Sequence, residues 1–182
     1  MVNPSESTEL VRRYERWRSI YAAAGKHPRD EPRISEGRLL LSEGFPHPGW
    51  TALVLDDFTG GYTLFEVTTE HRTEPHESFA ASFSNIIDAG KFVIWKVGVY
   101  LRTDLDLPSI TQQWTAEGLD PRVRQISLAK FESKFELKDD PTRSFVLPAG
   151  GVQPENHLLP LSYDELDTLL LDGMPEAVKS CR

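Results

Sequence analysis

The spacing of apolar residues changes between residues 62 and 102, and this change constrains the fold more than any other feature of the chain. Apolar and polar residues alternate in Tyr62-Thr-Leu-Phe-Glu-Val-Thr-Thr69, which is typical of a half-buried strand. A polar loop and a second predicted strand over 76–83 follow. From Ser84 the apolar period lengthens to about 3.6 residues, which predicts a long helix over 85–105. We therefore expect strands and a long helix at the centre of the fold.

The predicted helix over 85–105 is apolar on more than one side. One stripe is formed by Ile86, Val93, Val97 and Leu101, and the opposite side carries Phe92, Trp95 and Val99. A helix that is apolar nearly all round is normally buried between two layers. We expect the sheet on one face and the N-terminal helix, or a partner, on the other. An exposed stripe of Phe92, Trp95 and Val99 would instead indicate a self-associating structural adaptor.

Periodicity elsewhere predicts an antiparallel sheet of about six to eight short strands. Besides 62–69 and 76–83, strands are expected over 38–42, 51–55, 122–128, 130–138 and 143–147. In 130–138 strict alternation predicts that Phe131, Ser133, Phe135 and Leu137 face one way. The capping-box sequence Ser162-Tyr-Asp-Glu165 predicts a short C-terminal helix. The sequence thus predicts a single α+β domain over 1–182.

The chain is also expected to begin with an amphipathic helix that ends near Gly25. Its polar face carries Arg12, Arg13 and Arg16. A solvated helix face is the expectation for these arginines, and contact with acidic groups of a partner is the alternative.

Charge is distributed unevenly along the chain. Residues 1–38 carry eight Lys/Arg and six Asp/Glu, so the remainder of a chain of net charge -8 carries -10. Between Leu39 and Gly90 there are eight acidic residues and one basic residue, Arg72. This argues against nucleic-acid binding, which requires a basic surface. A basic protein partner or a cationic cleft is the better electrostatic match, although an acidic surface also aids solubility.

No apolar run approaches the roughly 20 residues that a membrane-spanning helix needs, and the start of the chain lacks the pattern of a secretory signal. We expect a soluble, cytoplasmic protein that does not bind membranes. The single cysteine, Cys181, allows no internal disulfide and no cysteine-based metal cluster, which fits a reducing compartment.

Catalytic motifs are absent from the sequence, including a Gly-x-Ser-x-Gly elbow and a phosphate-binding glycine-rich loop. One cluster could bind a metal. Glu70-His71 and His76-Glu77 flank a predicted hairpin loop, which would bring two imidazoles and two carboxylates together. The expectation is no enzyme, no metal and no cofactor. A small metal-dependent hydrolase, or a ligand-binding protein, that uses the His71/His76 cluster is the alternative.

Two segments resemble a known family. They are Phe65-Glu-Val-Thr-Thr-Glu70 and Phe83-Ser-Asn-Ile-Ile-Asp-Ala-Gly-Lys-Phe-Val-Ile-Trp95, followed by Gly98 and Arg102. The pattern resembles an actinobacterial immunity protein family, with a Glu-Val-Thr-Thr-Glu strand, an Asp-Ala helix start, an aromatic residue, an Ile-Trp pair and an arginine. The resemblance covers about a quarter of the chain, and nothing aligns firmly beyond Leu107.

The resemblance implies a function without catalysis. Members of this family, which includes the immunity factor of the tuberculosis necrotizing toxin, are cytoplasmic antitoxins that bind a secreted NAD-glycohydrolase toxin and occlude its NAD pocket. A 1:1 complex is implied. The motif residues lie in a predicted strand and a packed helix, so we expect the partner-binding residues in loops. They are expected in one loop at Asp56, Asp57, Gly60 and Gly61, and in a flexible loop over 148–156 at Gly150, Gly151, Gln153 and Glu155.

Overall fold

A computed structural model describes residues 4–70 and 74–180 of the chain. The helices are α1 (Pro4–Ala23), α2 (Ile86–Asp104), α3 (Ile110–Glu117), α4 (Tyr163–Leu171) and α5 (Glu176–Lys179), with a 3₁₀ helix at Pro154–Leu158. The strands are β1 (Arg33–Ser35), β2 (Arg38–Glu43), β3 (Thr51–Phe58), β4 (Gly61–Thr68), β5 (His76–Phe83), β6 (Val123–Ala129), β7 (Glu132–Leu137) and β8 (Ser144–Leu147). This confirms the predicted α+β class, with the N-terminal, central and C-terminal helices. The sequence prediction missed α3, α5, β1 and the 3₁₀ helix.

All eight strands form one antiparallel sheet in the order β1-β2-β3-β4-β5-β8-β7-β6. The alternating directions place the turn between β3 and β4 at one end of the strands, which we name the Phe58 end. The β6–β7 turn and the segment that follows β8 lie at the other end, the Phe131 end. No helix in the described ranges is long and apolar enough to cross a membrane.

Helix α2 lies between two layers, as its all-round apolar character predicted. It contacts β4 and β5 on one side and α1 and α4 on the other. Phe92 is 3% and Trp95 5% exposed. The indole of Trp95 stacks on that of Trp114 in α3, with ring centroids 6.4 Å apart. The adaptor hypothesis was therefore wrong about this stripe, because α3 covers it.

Helix α4 packs against α2 where α2 carries glycine. Leu170 approaches Gly98, and the guanidinium of Arg102 donates to the backbone oxygens of Leu170 and Asp172. These carbonyls end α4 and lack partners within the helix. Two of the residues in the family-like pattern thus hold α4 in place.

The arginines of α1 are placed differently from the expectation. Arg12 is exposed and pairs with Glu9 of its own helix. Arg13 is buried, and Arg13 and Arg16 both contact Oδ2 of the buried Asp167 of α4, at 2.6 and 2.5 Å. The expectation of a solvated face was wrong for Arg13, because α4 covers it.

A buried ionic network joins the start of α2 to Arg143, just before β8, and to the segment before α4. Asp88 pairs with Lys91 at 2.7 Å and with Arg143 at 2.6 Å. Lys91 is fully buried, and its ammonium also donates to three backbone carbonyls, those of Leu158, Leu159 and Leu161. The Asp-Ala helix start of the family-like pattern is therefore a structural element in this chain.

Candidate partner-binding surface

The residues predicted to contact a partner fall into two groups at opposite ends of the sheet. Asp56, Asp57 and Gly60–Gly61 lie at the Phe58 end. Residues 150–153 follow β8 and lie at the Phe131 end. Because an eight-residue strand spans roughly 26 Å, these two groups do not form one continuous site.

At the Phe58 end, β3 extends farther than predicted. Asp56 and Asp57 belong to the strand, paired with Thr63 and Tyr62, and do not lie in a loop as expected. The Asp56 carboxylate lies 3.6 Å from Nε of Arg38. The turn itself is residues 59–60, and Gly60 adopts a φ of 103°. Phe58, beside the turn, is 52% exposed.

At the Phe131 end, the predicted loop is shorter than expected, because the 3₁₀ helix begins at Pro154. Glu155 therefore lies in a helical turn. The loop that remains, 148–153, is fixed at both of its glycines. The amide of Gln125 donates to the Gly151 oxygen at 2.7 Å, and that of Gln153 donates to the Gly150 oxygen at 2.7 Å.

The β6–β7 turn packs directly against this loop. A Cβ on Gly150 would lie 2.6 Å from the backbone oxygen of Lys130, so only glycine allows the approach. Gly151 adopts a φ of 74°, a conformation that also favours glycine. The two glycines predicted from sequence thus shape a loop that is held against the neighbouring hairpin.

Three large apolar side chains are exposed on these adjoining segments. Phe131 is 68%, Leu128 50% and Val152 45% exposed. We name Leu128, Phe131 and Val152 the apolar tip. The prediction that Phe131 faces the core with Phe135 was wrong, because β7 begins at Glu132 and leaves Phe131 in the turn. The sequence signal that could have identified Phe131 as a turn residue is its position between the alternating patterns of β6 and β7.

A polar cleft of about 290 Å³ opens at the same end of the sheet, on its helical side. It lies between β3, β4 and β5 and the second half of α2. Two ion pairs line it. Nζ of Lys96 lies 2.6 Å from Oε1 of Glu66, and a guanidinium nitrogen of Arg29 lies 2.9 Å from Oε2 of Glu43. The exposed ring of Tyr100 completes the lining.

We expected the side chain of Glu155 to face solvent, but the structure buries one of its carboxylate oxygens. Its Oε2 atom is buried and has no hydrogen-bond partner among the described residues. Burial raises the pKa of Glu155, and a hydrogen bond with its own backbone and the nearby charge of Lys96 offset this only in part. Burial therefore favours the neutral, protonated form of this carboxyl group.

The alternative metal site is only partly visible. His76 is exposed at the start of β5, whereas His71 lies outside the described residues, as does Cys181. Among residues 4–70 and 74–180, no three His, Cys, Asp or Glu side chains come together in a way that could hold a metal ion.

Comparison with known proteins finds a solved structure with a similar fold. No family model matches the chain. No curated protein matches it in sequence. Among solved structures, the fold is similar to that of Rv3902c from M. tuberculosis, with a TM-score of 0.58 and 15% sequence identity. The similarity covers 86% of this chain and 87% of that one. At this identity the two proteins share a fold, and the likeness extends over most of both chains.

Proposed function

We propose that this protein is an immunity protein that binds a cognate NAD-glycohydrolase toxin one to one and blocks its NAD pocket sterically. It would act as a stoichiometric inhibitor and not as an enzyme. The family-like pattern from Phe65 to Arg102 supports the proposal. The structure adds the observation that carries it: an exposed apolar tip on two segments that are held against each other.

The apolar tip has the properties of a binding anchor. Large apolar side chains that cluster on a surface and are exposed to water mark interaction sites more often than scattered ones do. Phe131 projects from a tight turn, and the glycine loop beside it is fixed by the amides of Gln125 and Gln153. Since the loop is already ordered, little conformational entropy is lost when a partner binds.

Steric blockade needs a projecting element and no catalytic group. The β6–β7 turn and the loop over 148–153 lie against each other and expose Phe131 and Val152, and we propose that this apolar element enters the cleft. We therefore assign the blocking role to the Phe131 end. The acidic pair Asp56 and Asp57 at the Phe58 end would then lie outside the contact.

The proposal is tested by titrating the protein into an active NAD-glycohydrolase toxin domain and measuring NAD hydrolysis. We expect complete inhibition at one equivalent. Phe131→Asp should weaken inhibition by about 30-fold or more, the effect of a hot-spot residue. Phe58→Asp is the matched control, since Phe58 is similarly exposed at the opposite end, and it should change inhibition by less than about threefold.

Two results would contradict the proposal. Absence of binding between the wild-type protein and toxin domains at micromolar concentration would refute the inhibitory function itself. A loss of inhibition with Phe58→Asp but not with Phe131→Asp would keep the function and transfer the contact to the other end of the sheet.

A further inference from the structure

Strand β6 stands at the end of the sheet and has an open edge. It is the last strand in the sheet order, and among the described strands it pairs with β7 alone. Of the described helices and strands, only β7 packs extensively against it. Its seven residues, Val123–Ala129, are enough to pair with a further strand. The edge is therefore accessible over several residues.

The pairing register determines which backbone groups of β6 face the open side. The N–H of Lys138 donates to the backbone oxygen of Arg122 at 2.9 Å, so these residues form a hydrogen-bonding pair. Such pairs alternate along antiparallel strands, and the even-numbered residues of β6 therefore bond to β7. The N–H and C=O groups of Gln125 and Ser127 then point away from β7. Outside the sheet, no described residue hydrogen-bonds to these groups. They are a template for an added strand.

The open edge is continuous with the apolar tip. Leu128 belongs to β6 itself, and Phe131 lies in the turn that follows this strand. The loop that carries Val152 is held against β6, because the amide of Gln125 donates to the Gly151 oxygen at 2.7 Å. A segment that lies along β6 would therefore meet the apolar tip at the end of the strand.

The β6–β7 hairpin is basic, although the chain as a whole is acidic. Residues 122–138 contain five Lys/Arg and two Asp/Glu, a net charge of +3, whereas the whole chain carries -8. Arg124 of β6 and Lys134 of β7 share the carboxylate of Glu136, so one positive charge remains in this group. The Arg124 side chain is 56% exposed, so a partner can reach it.

Two lysines of the hairpin have no carboxylate partner among the described residues. Lys138 donates to the backbone oxygen of Pro121, and the ammonium of Lys130 lies 5.0 Å from the ring centroid of Phe131. Lys138 and Lys130 lie at opposite ends of the hairpin, with Arg124 between them. The edge thus favours an acidic strand, whereas a second copy of this chain would bring the same positive charges.

We propose that the open edge of β6 binds an extended acidic segment of the toxin as an added strand, next to the apolar tip. That the partner is the toxin rests on the proposed function. Main-chain hydrogen bonds to Gln125 and Ser127 supply affinity. Acidic side chains beside Arg124 and apolar side chains beside Leu128 supply specificity.

Proline at position 127 separates strand addition from a side-chain contact. Ser127→Pro removes an N–H from the open side and none from the β6–β7 ladder, and proline is tolerated at such edge positions. Ser127→Ala is the matched control, because it removes the same hydroxyl group, which donates to the Ala129 oxygen, and keeps the N–H. Thermal unfolding of both variants checks that they remain folded.

In the inhibition assay we expect Ser127→Pro to bind the toxin domain at least about tenfold more weakly than Ser127→Ala, since each main-chain bond that is lost contributes about 1 kcal/mol and the ring blocks its neighbours. Equal affinities of the two variants would overturn strand addition while wild-type inhibition still supports the proposed function. Lys138→Glu should weaken binding by about threefold. Lys179→Glu in α5, which packs on α1, is the control for net charge and should change it less.

If the wild-type protein binds no toxin domain, the proposed function fails, and a peptide probe decides strand addition on the unmodified chain. The probe is an acetylated eight-residue peptide of alternating valine and glutamate, followed by amide hydrogen exchange. It should slow exchange at Gln125 and Ser127, and a valine–lysine peptide should not. Unchanged exchange at both amides, or equal slowing by the two peptides, would overturn the proposal. So would a dimer of the protein alone that protects the same two amides.

Discussion

The hydroxyl group of Tyr163 occupies the space that a side chain on Gly90 would need. A Cβ at Gly90 would lie 1.8 Å from the Tyr163 hydroxyl oxygen and 3.1 Å from the ring carbon that bears it. Helix α4 thus begins in contact with the backbone of α2. This contact explains why α2 has a glycine in its second turn, where glycine is unfavourable for helix formation.

We expect Gly90→Ala to destabilise the protein by about 1–3 kcal/mol, the usual cost of overpacking, although alanine favours a helix by about 1 kcal/mol. Gly98→Ala should cost less, since its nearest neighbours, at 2.7 and 2.9 Å, are the terminal methyl groups of Leu170, which can move. Urea unfolding measures both. Adding Tyr163→Phe to Gly90→Ala should recover stability, and a double variant no more stable than Gly90→Ala would contradict the steric explanation.

Asp167 and Asp164 both bind Arg13 at 2.6 Å but differ in burial. The Asp167 side chain is 5% exposed and that of Asp164 is 85% exposed. Asp167→Asn should cost about 3 kcal/mol of unfolding free energy, because it removes the buried carboxylate to which Arg13, Arg16 and the indole of Trp17 all donate. Asp164→Asn should cost less than about 1 kcal/mol, as for exposed pairs. Similar losses in the two variants would show that burial is not the cause.

Lys91 should make stability depend on pH in the alkaline range. Burial lowers the pKa of Lys91 from 10.5 to about 8, despite the favourable charge of Asp88. Between these values the unfolded chain binds more protons than the folded chain, so the free energy of unfolding rises with pH. Its contribution is lowest below pH 8 and gains up to about 3 kcal/mol by pH 10.5.

The unfolding free energies of the wild-type protein and Lys91→Met are measured from pH 7 to 10.5. Their difference isolates the titration of Lys91, because the titration of other groups cancels. The ¹³Cε resonance of Lys91 should also titrate near pH 8. A midpoint near 10.5, with a pH-independent difference, would contradict the expected cost of burying the ammonium.

Local periodicity predicted most of the fold, because each strand and helix carries its own apolar pattern. Strand β5 was expected over 76–83 and was found there, and α2 was expected one residue longer at each end. The pairing of β5 with β8 could not be predicted, since more than 60 residues separate the two strands. The burial of Lys91 could not be predicted either, because the three carbonyls that accept from its ammonium belong to residues 158–161, more than 60 residues away in the chain.

The candidate surface was harder to predict than the fold. Glycine and proline composition correctly indicated a loop at Gly150 and Gly151, but the hydrogen bonds from Gln125 and Gln153 that fix it could not be predicted. The exposure of Phe131 could not be deduced, because the alternating pattern over 130–138 does not show at which residue the strand begins. Strand β7 begins at Glu132, which leaves Phe131 in the turn. Glu155 was expected to face solvent, but the 3₁₀ helix turns it toward the protein.

The close contact between Gly150 and Lys130 predicts how the apolar tip depends on its loop. In Gly150→Ala, the new Cβ would meet the Lys130 backbone oxygen at 2.6 Å, so the loop must move away from the hairpin and separate Val152 from Phe131. If both segments enter the toxin together, its affinity should fall about tenfold, while the core, which lies elsewhere, keeps its thermal stability within a few degrees.

Gly60→Ala is the control for this prediction. Gly60 has a positive φ, and a Cβ there would meet nothing within 4 Å, so the substitution strains the turn at the Phe58 end without displacing a neighbouring segment. It should lower the melting temperature slightly and leave toxin affinity unchanged. Inhibition titrations and thermal unfolding of the two variants give the comparison. If Gly150→Ala inhibits as well as Gly60→Ala does, the loop is not part of the contact, and Phe131 would have to act without it.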